Sequence, residues 1–142
     1  MIDRDGSTLG DRLAWAGPVT HALLRIGSGL LFMQHGAQKL LGWFGGVGPG
    51  GGTVELMSRY GLAGVLELFG GALIVAGLFT RPVAFLLVGE MFVAYLIAHA
   101  PQGPVPVQNG GETPLLFALI FAFLAGNGAG PASVDAARRR RP

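Results

Sequence analysis

Hydrophobic positions gather into four blocks along the chain, at about 18–41, 62–79, 82–99 and 114–126, with turn-forming segments between them. The first three approach the roughly 20 apolar residues that carry a helix across a bilayer, and the fourth is shorter. Pro18 suits a first helical turn, where its missing N–H has no partner to lose. GWFGGVGPGGGTVELMSRYG follows the first block as a glycine-rich connector; its GVGPGGG run has no lysine followed by Ser or Thr and no strand before it, so it is not a phosphate-binding loop. Thr80–Pro82 is a tight turn, and HAPQGPVPVQNGGETP is a loop too punctuated for helix. The pattern therefore predicts an all-α fold, an integral membrane bundle of four antiparallel helices over 18–128. A polar segment, 1–17, precedes it and an arginine-rich tail, 129–142, follows it. Residues 8–16 are expected to form a short interfacial helix with Trp15 at headgroup depth. The Ala14–Ala16 pattern lies before the hydrophobic block, where no signal-peptide cleavage site belongs, so the N-terminus is expected to be retained.

Composition supports this environment. Charged residues make up 13% and hydrophobic ones 51% of the chain, against about 25% and 45–50% in soluble domains. The 25 glycines are costly in a soluble helix but suit close helix packing in lipid. No cysteine is present, which excludes thiol–disulfide cycling, iron–sulfur clusters and cysteine zinc sites within this chain. The Arg138–Arg141 run has no accompanying basic aromatic surface, so nucleic-acid binding is not expected. Positive charge instead sets orientation. Arg4, Arg12, Arg81 and the tail arginines all fall on one side, against Lys39 and Arg59 on the other. By the positive-inside rule both termini are cytoplasmic.

Ionisable groups inside such blocks are expensive and carry the functional hypotheses. At about 1.5 Å per residue, Arg25 and Glu90 lie about 10 and 12 Å from the cytoplasmic ends of their helices, and a structural ion pair is expected between them. His35 and His99 lie roughly 25 Å up and Glu67 about 20 Å, with Lys39 slightly higher, so these form an outer group. Arg25, His35 and Lys39 fall within roughly 80° on one helix face, whereas Glu90 and His99 fall nearly opposite each other on an ideal helix. His35 and Glu67 are the expected proton-exchanging, catalytic pair, with Lys39, Phe32 and His99 as ligand-binding residues. A quinone carbonyl fits this chemistry, since a donor near headgroup depth stabilises a developing oxyanion. Histidine and carboxylate also suit a metal, but His35, Glu67 and His99 lack a compact ligand motif, so no metal is expected.

The set formed by Arg25, HGAQKLLG at His35–Gly42, ELFGG at Glu67–Gly71, GLFTRP at Gly77–Pro82, NGGE at Asn109–Glu112 and GAGPASVD at Gly128–Asp135 resembles the DoxX family. These are small four-helix bacterial membrane proteins, and the resemblance spans roughly Leu23 to Asp135. It implies a multi-pass protein of the bacterial cytoplasmic membrane. Relatives are associated with thiosulfate:quinone oxidoreduction and with complexes that protect against oxidative or thiol stress. The expected role is thus a subunit of a quinone-linked redox complex, with quinone as the expected cofactor and none bound covalently. Expected partners are the bilayer, a soluble or membrane oxidoreductase, and a second copy of the chain. Two alternatives stand beside it: a non-catalytic scaffold that recruits a soluble oxidoreductase, and a protein that binds or transports a small apolar molecule or lipid. The resemblance leaves substrate and catalysis open.

Overall fold

The computed structural model describes Thr8, Gly10 and residues 14–140. The interfacial helix expected over 8–16 lies mostly outside the described residues, and Arg4, Arg12 and Arg141 lie wholly outside them. The described chain is all-α. Helix α1 is Ala16–Leu41, α2 is Arg59–Ala76 and α3 is Thr80–Gln102. They are followed by α4, Pro106–Asn109, α5, Glu112–Asn127, and α6, Val134–Arg139. The single turn α4 sits in a loop predicted to be non-helical. Pro106 presets its first residue, and Gly110, at φ 68°, ends it.

Local chemistry sets the helix ends. Gly42, at φ 68°, closes α1. The Ser58 hydroxyl opens α2 by accepting from the Gly61 N–H at 3.1 Å. Gly77, at φ 65°, closes α2 after Ala76, three residues before the predicted end at 79. Within α2 the stretch Leu66–Gly70 is π-helical, and within α3 so is Tyr95–His99. Such π turns shift the phase of every residue beyond them.

The four longer helices pack antiparallel around one core. Gly29 of α1 lies against Gly71 and Val75 of α2, and Gly36 against Gly64 and Leu68. Gly70 of α2 meets Leu87 of α3. Phe32 of α1 packs on Phe117 and Phe121 of α5, with ring centroids 5.1 and 4.8 Å apart. Ile74, Leu87 and Leu124 are fully buried beside them. The α1–α2 contact depends on having no side chain at Gly36. A Cβ there would stand 2.5 Å from the Leu68 amide nitrogen and 2.7 Å from the Gly64 carbonyl oxygen. Both are backbone atoms, so the helices must separate. Gly36→Ala is expected to cost about 1–3 kcal/mol, the range for overpacking, read as a lowered Tm in detergent. Gly27→Ala, where a Cβ meets nothing within 4 Å, is the control and should leave Tm unchanged or raised.

The outer surface is apolar as well. Leu30, Leu31, Phe69, Phe85, Phe92, Leu116 and Leu119 are all exposed, so each of the four longer helices presents large hydrophobic side chains outward. Helices α2 and α3 are long and apolar enough to cross a membrane, by length and composition. Helix α5 is apolar but shorter.

Candidate functional site

Helices α2 and α3 touch near their tight turn, where Gly70 meets Leu87, and beyond that point a cavity of about 820 Å³ opens between the helices. Five of the predicted outer or ligand-binding residues, Phe32, His35, Lys39, Glu67 and His99, line it, and so does Glu90. Most of its wall is apolar. Leu62, Leu86, Val93 and Ile97 line it while being about half exposed, which places its mouth on the outer face between α2 and α3.

The centre of the site is an ion pair. Lys39 Nζ donates to both oxygens of Glu67, at 2.7 and 2.6 Å. Glu67 is buried, and it sits in the π-helical turn of α2. The pair satisfies both charges in a setting where either alone is costly. Glu67 is thus held by Lys39, and His35 stands beside the pair on the cavity wall. The His35 ring meets Phe117 edge-on at 5.9 Å, and His35 also borders a smaller cavity of about 330 Å³ between α1 and α5.

His99 and Glu90 share the cavity although ideal helical angles set them opposite. The π-helical turn Tyr95–His99 lies between them and supplies the phase shift. His99 Nδ1 donates to the Asn109 carbonyl at 2.9 Å, and its ring stacks on Tyr95. Asn109 in turn bonds the Gly103 carbonyl and the Gly111 N–H, at 2.7 and 2.8 Å. The NGGE loop is thus folded around His99, which forms a wall of the cavity. Among the described residues no three histidine or carboxylate side chains converge as a metal-binding group.

The predicted Arg25–Glu90 ion pair does not form. Arg25 is 1% exposed, and its guanidinium bonds backbone carbonyls only. Nε donates to Ala129 at 2.9 Å, Nη1 to Ile74 at 2.7 Å and to Val75, and Nη2 to Ala132. Ile74 and Val75 lie in the last turn of α2, where carbonyls lack helical partners and the helix dipole favours a cation. Both oxygens of Glu90 are buried without a hydrogen-bond partner. Depth counted from the helix ends assumes that the helices start level, and they do not. Arg25 sits opposite the C-terminus of α2, so the first turns of α1 project past the α2–α3 turn, and Glu90 lies about 15 Å further up α3.

Arg25 therefore fastens the segment after α5 onto the α2–α3 turn. Asp135 completes this junction, a role signalled in the sequence only by the closing S-x-D pattern at Ser133–Asp135. Its carboxylate accepts from the Phe79 and Thr80 N–H groups, both at 2.9 Å, and its own N–H donates to Gly77. Phe79 has φ 51°, uncommon for a bulky residue, and the Asp135 bond holds it there. Partial burial acts to raise the Asp135 pKa, but the Thr80 and Phe79 N–H groups outweigh it and hold the carboxyl below its ordinary value. His21 Nε2 donates to the Gly128 carbonyl at 2.9 Å at the same end.

An all-α bundle with an apolar exterior, an ion pair within its core and a cavity opening sideways defines a small helical protein of membrane character. The chain belongs to the DoxX family, whose sequence profile matches residues 20–100. It is 39% identical over 125 residues to an uncharacterized protein of Haemophilus influenzae, covering 83% of this chain and 90% of that one. No solved structure matches it.

Proposed function

We propose that this protein spans the bacterial cytoplasmic membrane four times, with both termini in the cytoplasm, and binds a quinone-type ligand as a subunit of a redox complex. The observation that carries this reading is the lateral cavity, which places His35 and the Lys39–Glu67 pair in an apolar chamber facing the outer belt of the bundle. A flat apolar ring entering from lipid would be covered by the walls, as pockets of about 300–1,000 Å³ cover ligands of that size. Its carbonyl would meet the imidazole of His35, the group able to give or take a proton near neutral pH. The third hydrogen of Lys39 adds positive potential where an oxyanion would form. Electrons would come from a partner oxidoreductase. The exposed apolar faces on all four longer helices support the membrane setting. Arg81 and Arg138–Arg140 at one end of the bundle support the orientation.

A thermal-shift titration with a water-soluble quinone analogue tests the reading. The wild-type protein in detergent should gain Tm with increasing analogue, and His35→Ala should lose the gain while keeping its ligand-free Tm. Equal gains in both proteins would remove His35 from the site. The absence of any gain in the wild type would favour the scaffold alternative.

A further inference from the structure

Glu90 has no part in the quinone reading, yet it is the least satisfied charged side chain in the described core. Both its oxygens are buried and lack a hydrogen-bond partner, and the residue lines the cavity. The half-buried Lys39 and the buried Arg25 are already committed. Lys39 is held by both oxygens of Glu67, and Arg25 is spent on four carbonyls at the far end. We propose that the cavity binds a hydrophobic organic monocation, taken up at Glu90 in exchange for a proton.

The charge count points to this ligand. Two carboxylates, Glu67 and Glu90, share the one ammonium of Lys39, and the other full cation on the wall, Arg59, is exposed and lies over the Tyr60 ring, so the buried Glu90 carboxyl has no bonded cation. A bound proton fills that need, and so does a cation of charge +1. Small hydrated cations are poor candidates, because they require several oxygen ligands and the walls are mainly apolar. An alkylated ammonium or arylphosphonium matches better. Its substituents pack on the apolar walls, and the Tyr60 ring, which already carries the Arg59 guanidinium at 5.0 Å, shows that an aromatic face at the cavity accepts a cation. The mouth between α2 and α3 opens onto exposed Leu62, Leu86 and Ile97, the route a lipid-soluble cation would take.

The exchange balances without electrons. The Glu90 O–H bond breaks, the proton passes to water, and the carboxylate pairs with the incoming cation. One proton is released per cation bound. The other ionisable groups on the cavity wall are His35 and Lys39 from α1, Arg59, Tyr60 and Glu67 from α2, and His99 from α3; α5 contributes none. Protonation of His35 would also repel a cation at low pH, so the test must separate its effect from that of Glu90.

The probe is tetraphenylphosphonium, titrated calorimetrically into the full chain in detergent. Buffers of differing ionisation enthalpy count the protons. The wild type should release one proton per cation, and Kd should weaken about tenfold for each pH unit lowered where Glu90 holds its proton. His35→Ala should retain this dependence. Glu90→Gln should release no proton and bind at least tenfold more weakly, and neutral triphenylphosphine oxide should release none from any variant. Cation binding without proton release, unchanged binding by Glu90→Gln, or no saturable binding to the wild type would each overturn the proposal. The proton count needs no variant, so a folding defect in Glu90→Gln leaves the test intact. The proposal is independent of the quinone reading. A gain in Tm from the quinone analogue with no cation binding would sink this proposal alone.

Discussion

Arg25→Ala is expected to remove most of the folded protein from the membrane fraction and to give the lowest Tm of any single substitution proposed for this chain. The side chain makes four hydrogen bonds to backbone carbonyls from two segments: the end of α2, at Ile74 and Val75, and the stretch after α5, at Ala129 and Ala132. Hydrogen bonds from a charged group contribute about 1.5–3 kcal/mol each, and a whole domain is stable by only about 5–15 kcal/mol. Alanine also leaves the buried carbonyls of Ile74 and Ala129 without the donor that Arg25 supplies. Arg25→Lys should recover only a small part, because one ammonium cannot reproduce the planar fork that reaches both segments. Adding Glu90→Ala to Arg25→Ala should be additive within about 0.3–0.5 kcal/mol, as for residues without shared partners. Strong coupling in that double mutant would restore the ion pair that the geometry rules against.

The second large effect is expected at the Lys39–Glu67 pair. Lys39→Ala strands the buried Glu67 carboxylate, and breaking such a pair typically costs about 3–5 kcal/mol. Glu67→Ala strands the ammonium, but less severely, because Lys39 is more exposed, at 16% against 7% for the side chains. The double mutant should therefore be more stable than Lys39→Ala alone. A Lys39→Met/Glu67→Leu protein, which fills the same space with apolar atoms, should match or exceed the wild type in Tm. It should also lose the gain in Tm from the quinone analogue. Retained stability with lost binding would show that the pair serves the ligand site. Coupling is measured by a double-mutant cycle of Tm values, and its absence would mean the two groups do not meet.

Much of the helical layout was legible because apolar blocks and their glycine and proline punctuation report helices directly. His35 and Lys39 were placed together by their four-residue spacing on α1. Counting along the helices puts Glu67 and His99 in the same outer group, and both line the cavity with them. What stayed hidden was the relative start of each helix. Counting from block ends made Arg25 and Glu90 appear level, although α1 extends past the turn that begins α3. The two π-helical turns were equally hidden, because one residue of extra winding leaves no mark in a hydrophobic pattern. Without the turn at Tyr95–His99, Glu90 and His99 face opposite ways. The closing GAGPASVD stretch was visible as a pattern, but its purpose was not. Arg25 and Asp135 explain it by contacts with backbone atoms, which no side-chain spacing encodes.

The central claim, that the lateral cavity holds a quinone-type ligand, is tested most directly by what the protein carries when purified in its own lipid. Gly89 lines the cavity, and a side chain started there meets nothing within 4 Å. Gly89→Phe should therefore obstruct the chamber without disturbing the packing. Solvent extraction of wild-type protein isolated with its surrounding bilayer should yield quinone above the content of bulk lipid. Gly89→Phe should fall to the bulk value at an unchanged Tm. Wild-type protein with no quinone above bulk lipid, or equal amounts in the two proteins, would contradict the account.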